Sequence, residues 1–115
     1  LARELLHPSL VSAALDEEAT HPVFPDLDGV LPGYGRQRPN PFGLGVEIRG
    51  HKHPHWTAPT ASPSVFGHFG VSGSFIRVDR DLDAAAVFLG VEPFGTWHQK
   101  NWSALNQTIL DRLLP

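Results

Sequence analysis

The sequence predicts an α+β fold: a mainly antiparallel sheet of about four strands, with helices from both ends of the chain packed on it. Three observations carry this. Residues Phe42 to Arg49 alternate, with Phe42, Leu44, Val46 and Ile48 on one side and Gly43, Gly45, Glu47 and Arg49 on the other, the pattern of a half-buried strand. Three further runs rich in β-branched and aromatic residues follow (Ser64 to Phe69, Ser74 to Val78, Ala84 to Val91), separated by turn sequences. The chain then closes on a segment in which Trp102, Leu105, Ile109, Leu110 and Leu113 recur at helical spacing.

The elements follow in order. Leu1 to His7 reads as a helix with Leu1, Leu5 and Leu6 on one side, stopped by Pro8. Ser9 to Ala19 reads as a second short helix, with Leu10, Val11, Ala14 and Leu15 on its apolar face and Asp16, Glu17 and Glu18 on its wet one. Between Thr20 and Pro41 five prolines and three glycines predict irregular backbone. That stretch also holds Val23, Phe24, Leu27, Val30, Leu31 and Tyr34, so it is expected to pack on a surface rather than float as a linker. Gly70 to Gly73 and Asp79 to Asp81 read as the turns between strands. The run Ala84 to Val91 has no polar side chain on either face, the signature of a strand covered on both sides. The C-terminal helix covers one side. The cover of the other is expected to come from outside these residues, either from a missing N-terminal part or from a second copy.

Composition narrows the function. The chain has 115 residues, a length suited to one domain. Its net charge is −3 and its nine basic residues are scattered, so neither nucleic acid nor an anionic membrane surface is expected as a partner. No apolar run approaches the roughly 20 residues of a membrane helix. There is no cysteine, which removes disulfides, thiolate metal sites and a cysteine nucleophile and slightly favours the cytoplasm. No leader pattern is visible, an observation blunted by a start at Leu1 rather than Met.

Two segments point to a family. One is Phe42-Gly43-Leu44-Gly45-Val46-Glu47-Ile48-Arg49-Gly50; the other is Phe66-Gly67-His68-Phe69-Gly70-Val71-Ser72-Gly73-Ser74-Phe75-Ile76-Arg77-Val78-Asp79. With the apolar strand and the final helix, they resemble the last third to half of serine hydrolases of the β-lactamase and penicillin-binding-protein superfamily, esterases and peptidases included. The stretch Phe24 to Gly35 is similar to the connection before the first of these strands in some bacterial members.

The resemblance implies the C-terminal part of that fold, and ester or amide hydrolysis as the parent activity. Such enzymes combine Ser-x-x-Lys, then Tyr-x-Asn or Ser-x-Asn, then Lys-Thr-Gly or His-x-Gly on a strand. By resemblance His68-Phe69-Gly70 is the third motif. His68 would set the electrostatics beside the nucleophile, Gly70 would admit substrate to the strand edge, and the Val71 N–H would form half of the oxyanion hole. Phe69, Ser72, His55 and Trp56 are expected to touch substrate. Histidine in place of lysine leans toward an esterase or peptidase. No cofactor is implied, since the deacylating water needs no metal.

The other two motifs are absent. The only lysines, Lys52 and Lys100, follow Arg49 and Trp97 by three residues, and the only tyrosine, Tyr34, precedes Gly35-Arg36. Without nucleophile and base, acyl transfer has no starting point, so the chain alone is expected to be inactive. Two rival readings stay open. One is a non-catalytic remnant of the fold used in binding or assembly. The other is a metal binder using His51, His53 and His55, although Pro54 interrupts their spacing and no carboxylate stands nearby in sequence. Other motifs are weaker. Gly70-Val71-Ser72-Gly73-Ser74 departs from a nucleophile elbow at its last position. Asp79, Asp81 and Asp83 lack the glycine and glutamate of a calcium loop.

Overall fold

The computed structural model describes residues 1–115. Its elements are α1 (Ala2–Leu6), α2 (Ala13–Thr20), β1 (Gly29–Leu31), β2 (Gly35–Gln37), β3 (Glu47–Ile48), β4 (Phe66–Phe69), β5 (Phe75–Asp79), β6 (Ala84–Phe88) and α3 (Thr96–Leu113). Strands β3 to β6 form one antiparallel sheet in sequence order, and β1 and β2 form a separate hairpin. No helix is long and apolar enough to cross a membrane.

The sheet registers through β4 and β5. Phe66 lies opposite Val78, His68 opposite Ile76 and Phe69 opposite Phe75. Because side chains alternate across a strand, Phe69, Phe75 and Phe88 face α3. There they meet Trp102, whose ring lies 5.8 Å from Phe69, 5.2 Å from Phe75 and 5.9 Å from Phe88. Phe66 and Val78 point the other way and pack with Ile48, Leu5 and Leu6. A second apolar cluster joins Ala58, Ala61 and Val65 to Leu110 near the far end of α3.

The short N-terminal helices are tied on by polar contacts. The Ser12 hydroxyl accepts the Leu15 N–H at 3.1 Å and so starts α2. This is why the helix begins after residue 9. Arg80 donates to both Asp16 oxygens at 2.8 Å and to the Leu5 carbonyl at 2.7 Å, holding both helices against the end of β5.

Two expectations need correction, and a third is met. Residues 42–49 are not one strand. The chain reverses between Phe42 and Glu47, which pair with each other, with the Gly43 N–H on the Val46 carbonyl and Gly45 at φ +82°. The stretch 20–41 is less irregular than its prolines suggest, since β1 and β2 form a hairpin around Gly33. Strand β6 meets its expectation, with α3 covering one face through Phe88 and Trp102 and the other face left for cover from outside these residues. It is a sheet edge, and the apolar residues continuing its outer face stay open, with Val87, Leu89 and Val91 at 53%, 83% and 95% exposure.

Trp102 is fully buried and joins β4, β5, β6 and α3. Trp102→Ala is expected to cost about 3–5 kcal/mol, read as a lower urea midpoint. A midpoint within error of the parent chain would show that the aromatic core does not depend on it.

Candidate active site

The end of β4 forms one wall of a cleft of about 290 Å³. Strand β3 is two residues long and reaches only Phe66 and Gly67 of β4, so the edge of β4 beyond Gly67 has no strand partner on that side. His68, Phe69, Gly70 and Val71 line the cleft along this edge, while Leu31, Pro32, Phe42 and Phe94 supply the facing walls. His68 is exposed at the rim.

The backbone after β4 is held from several sides. The Gly70 N–H donates to the Ser74 carbonyl at 3.1 Å, and the Gly70 carbonyl accepts the Gly73 N–H at 3.0 Å. The Val71 carbonyl accepts the Phe94 N–H at 2.9 Å. The Val71 N–H has no acceptor within the chain. It belongs to the same peptide unit as the Gly70 carbonyl, so the bond at that oxygen fixes the orientation of the free N–H and polarises it. Glycine makes this clamp possible. Gly73 sits at φ +74°, and a Cβ there would lie 2.0 Å from the Glu92 carbonyl oxygen. One on Gly90 would lie 2.1 Å from the Gly73 oxygen.

A buried polar network stands behind the cleft. Glu47 is 2% exposed. One of its oxygens accepts the Trp56 indole N–H at 2.7 Å; the other accepts Lys52 Nζ and His55 Nε2, both at 2.8 Å. Lys52 Nζ also donates to the Pro41 carbonyl at 3.0 Å. The Thr57 N–H points at His55 Nδ1 from 3.2 Å, so Nδ1 accepts and Nε2 carries the proton. Burial pushes the His55 pKa below its ordinary value, and the neighbouring Glu47 only partly offsets this. Burial pushes the Glu47 carboxyl up, but the bonds and charges of His55 and Lys52 outweigh it and hold it low. Lys52 is likewise lowered by burial, against the pull of Glu47.

The expected site residues therefore separate. His68, Phe69, Gly70 and Val71 come together. Ser72 stands in the exposed turn and does not line the cleft. His55 faces a different, polar cavity of about 270 Å³, and Trp56 is 1% exposed with its indole N–H on Glu47. Neither lines the cleft at the end of β4, because the Glu47 carboxylate draws both inward. Nor do His51, His53 and His55 converge: the first two are exposed, the third is buried, and no group of three or more His, Cys, Asp or Glu side chains is placed to hold a metal ion. The facing walls were not foreseen as site residues. The one sign of Leu31 and Pro32 was apolar content in a proline-rich stretch.

The arrangement of β3 to β6 under α3, with a His-x-Gly edge opening on a cleft, is that of a β-lactamase-like fold, of which this chain carries a portion. A crystal structure of a β-lactamase (Mb2281c) from Mycobacterium bovis matches 97% of the chain at 52% sequence identity and a TM-score of 0.93. The chain spans 41% of the length of that protein. No family model matches the sequence, and no curated protein does.

The buried network makes stability depend on pH. With the folded pKa of His55 held below its ordinary value of 6.5, the unfolded chain takes up that proton first as pH falls. Stability is then complete above about pH 6.5 and declines below it. Glu47, held below 4.5, adds to the loss at lower pH with the same sign. Urea midpoints measured from about pH 7.5 to pH 5 should fall, and His55→Gln, which removes the titration, should flatten the decline. An equal slope in both proteins would show that His55 does not carry it.

Proposed function

We propose that this chain is the C-terminal portion of a β-lactamase-family serine hydrolase. In that reading it supplies the third active-site motif and half of the oxyanion hole for hydrolysis of a small ester or amide, and it is inactive alone. The observation that carries the reading is the unpartnered Val71 N–H, oriented by its own peptide unit, at the mouth of a cleft whose rim holds His68. The likeness to a mycobacterial β-lactamase supports it.

In the reaction, a serine from outside these residues attacks the substrate carbonyl. As the tetrahedral species forms, negative charge collects on the carbonyl oxygen, and the fixed Val71 N–H donates to it without having to reorient. His68 sits where it can bias the electrostatics of that charge. The open edge at Gly70 gives the substrate room to lie along the strand. Collapse of the tetrahedral species breaks the ester or amide bond and releases the alcohol or amine, which leaves with the serine's proton; water then cleaves the serine ester, releasing the acid and restoring the hydroxyl. The remaining portion of such an enzyme, or a second copy of this chain, would also cover the exposed side chains of Val87, Leu89 and Val91. A second reading, a binding or assembly remnant of the same fold, draws on that apolar face alone.

A chromogenic short-chain ester separates the two. The chain alone should give no turnover above buffer, and mixing it with a polypeptide carrying the missing Ser-x-x-Lys portion should restore it. In the restored enzyme Val71→Pro, which removes the donor N–H, should lower kcat by about 10²–10³. Association of the two portions without turnover would favour the assembly remnant.

A further inference from the structure

The walls of the cleft bear on which substrates it accepts. Leu31, Pro32, Phe42, Phe69 and Phe94 line the cleft together with Val71, and no lysine or arginine does. The one carboxylate at its edge, Glu47, is already matched by Lys52, His55 and Trp56. Apart from His68, nothing in the cleft offers a counter-charge. A free carboxylate brought here would lose its hydration and gain little in return. An uncharged carbonyl would satisfy the Val71 donor, and an apolar group attached to it would gain by leaving water.

Phe42 extends this surface. It also lines a trough of about 300 Å³ together with Val23, Phe24, Leu27 and Leu44, with Asp28 and Asn40 as the polar side chains there. Phe24, Leu27 and Leu44 are 68%, 62% and 48% exposed. The two spaces share Phe42 as a lining residue.

We infer that the cleft selects an uncharged ester bearing an apolar chain, with its carbonyl oxygen on the Val71 N–H and the chain running past Phe42, and that it does not recognise a free carboxylate. This rests on the hydrolase reading and narrows its substrate class. The cleft offers an anion no fixed cation: His68 is the one basic side chain that lines it, and most of its other walls are hydrocarbon.

The isolated chain tests the inference, since it has no Ser-x-x-Lys to consume the ligand. Ethyl hexanoate, hexanoate anion and benzylpenicillin are titrated separately against ¹⁵N-labelled protein. The ester should shift the amide signals of Val71 and Phe94 and bind at least about tenfold more tightly than either carboxylate, a difference of about 1.4 kcal/mol. Val71→Lys, placed at a side chain that is 89% exposed, should raise the affinity for hexanoate anion severalfold while leaving the fold intact. Equal or tighter binding of the carboxylates at Val71 would overturn the substrate class and leave the hydrolase reading standing. No shift at Val71 with any ligand would overturn the substrate class too. Failure of the complementation assay, by contrast, would remove the hydrolase reading itself.

Discussion

The Glu47 carboxylate is the constraint on which the rest of this structure depends. It sits inside the protein at the end of a two-residue strand, and a buried anion is tolerable only when its lone pairs are filled and its charge is met. Lys52, His55 and the Trp56 indole do this, and all three come from the loop that follows β3. Satisfying one carboxylate thus pulls a proline- and histidine-rich segment into a fixed path. That path delivers Trp56 to the aromatic core, with its ring 5.2 Å from Phe75, and carries the Trp56 carbonyl to the Asn106 side chain of α3 at 3.1 Å. Replacing any one partner would strand the others, so loop, sheet and helix behave as a unit.

The cleft is positioned by what this unit leaves undone. Because the chain turns back between Phe42 and Glu47, β3 cannot extend along β4, and the backbone from His68 to Val71 stays free of strand partners on that side. The Gly73 N–H on the Gly70 carbonyl then locks the peptide that presents the Val71 N–H, while the 90–94 segment, drawn close by the absence of side chains at Gly73 and Gly90, holds the next peptide through the Phe94 N–H on the Val71 carbonyl. A rigid donor with no acceptor, bordered by aromatic and aliphatic walls, results from short pairing on one flank and tight packing on the other.

Much of this was readable in the residues. The β4–β5 hairpin, the edge motif His68-Phe69-Gly70 and the amphipathic α3 follow from alternation, turn chemistry and helical spacing, which are local signals. Glu47 misled, because alternation assigns it to solvent and the compensation that permits its burial lies five to nine residues later, in a loop with no periodicity. The same cause hid the inward positions of His55 and Trp56. The β1–β2 hairpin was masked by flanking prolines, although glycines at positive φ were what its turn required. The uniformly apolar β6 reads as a strand that needs cover on both faces, and the face not taken by α3 is the one left open; a sequence shows what a strand prefers, not what supplies it.

That last strand has a consequence for handling the polypeptide. From Ala84 to Phe88 its margin carries no lysine, no proline and no bulge, the devices by which natural sheets discourage unwanted additions. Its backbone amides and carbonyls, together with the hydrocarbon of Val87 and Leu89, form a template on which any extended chain can crystallise as a further row. Purity, dilution and speed of refolding, rather than the depth of the native free-energy well, would then govern how long the protein stays monodisperse in the test tube.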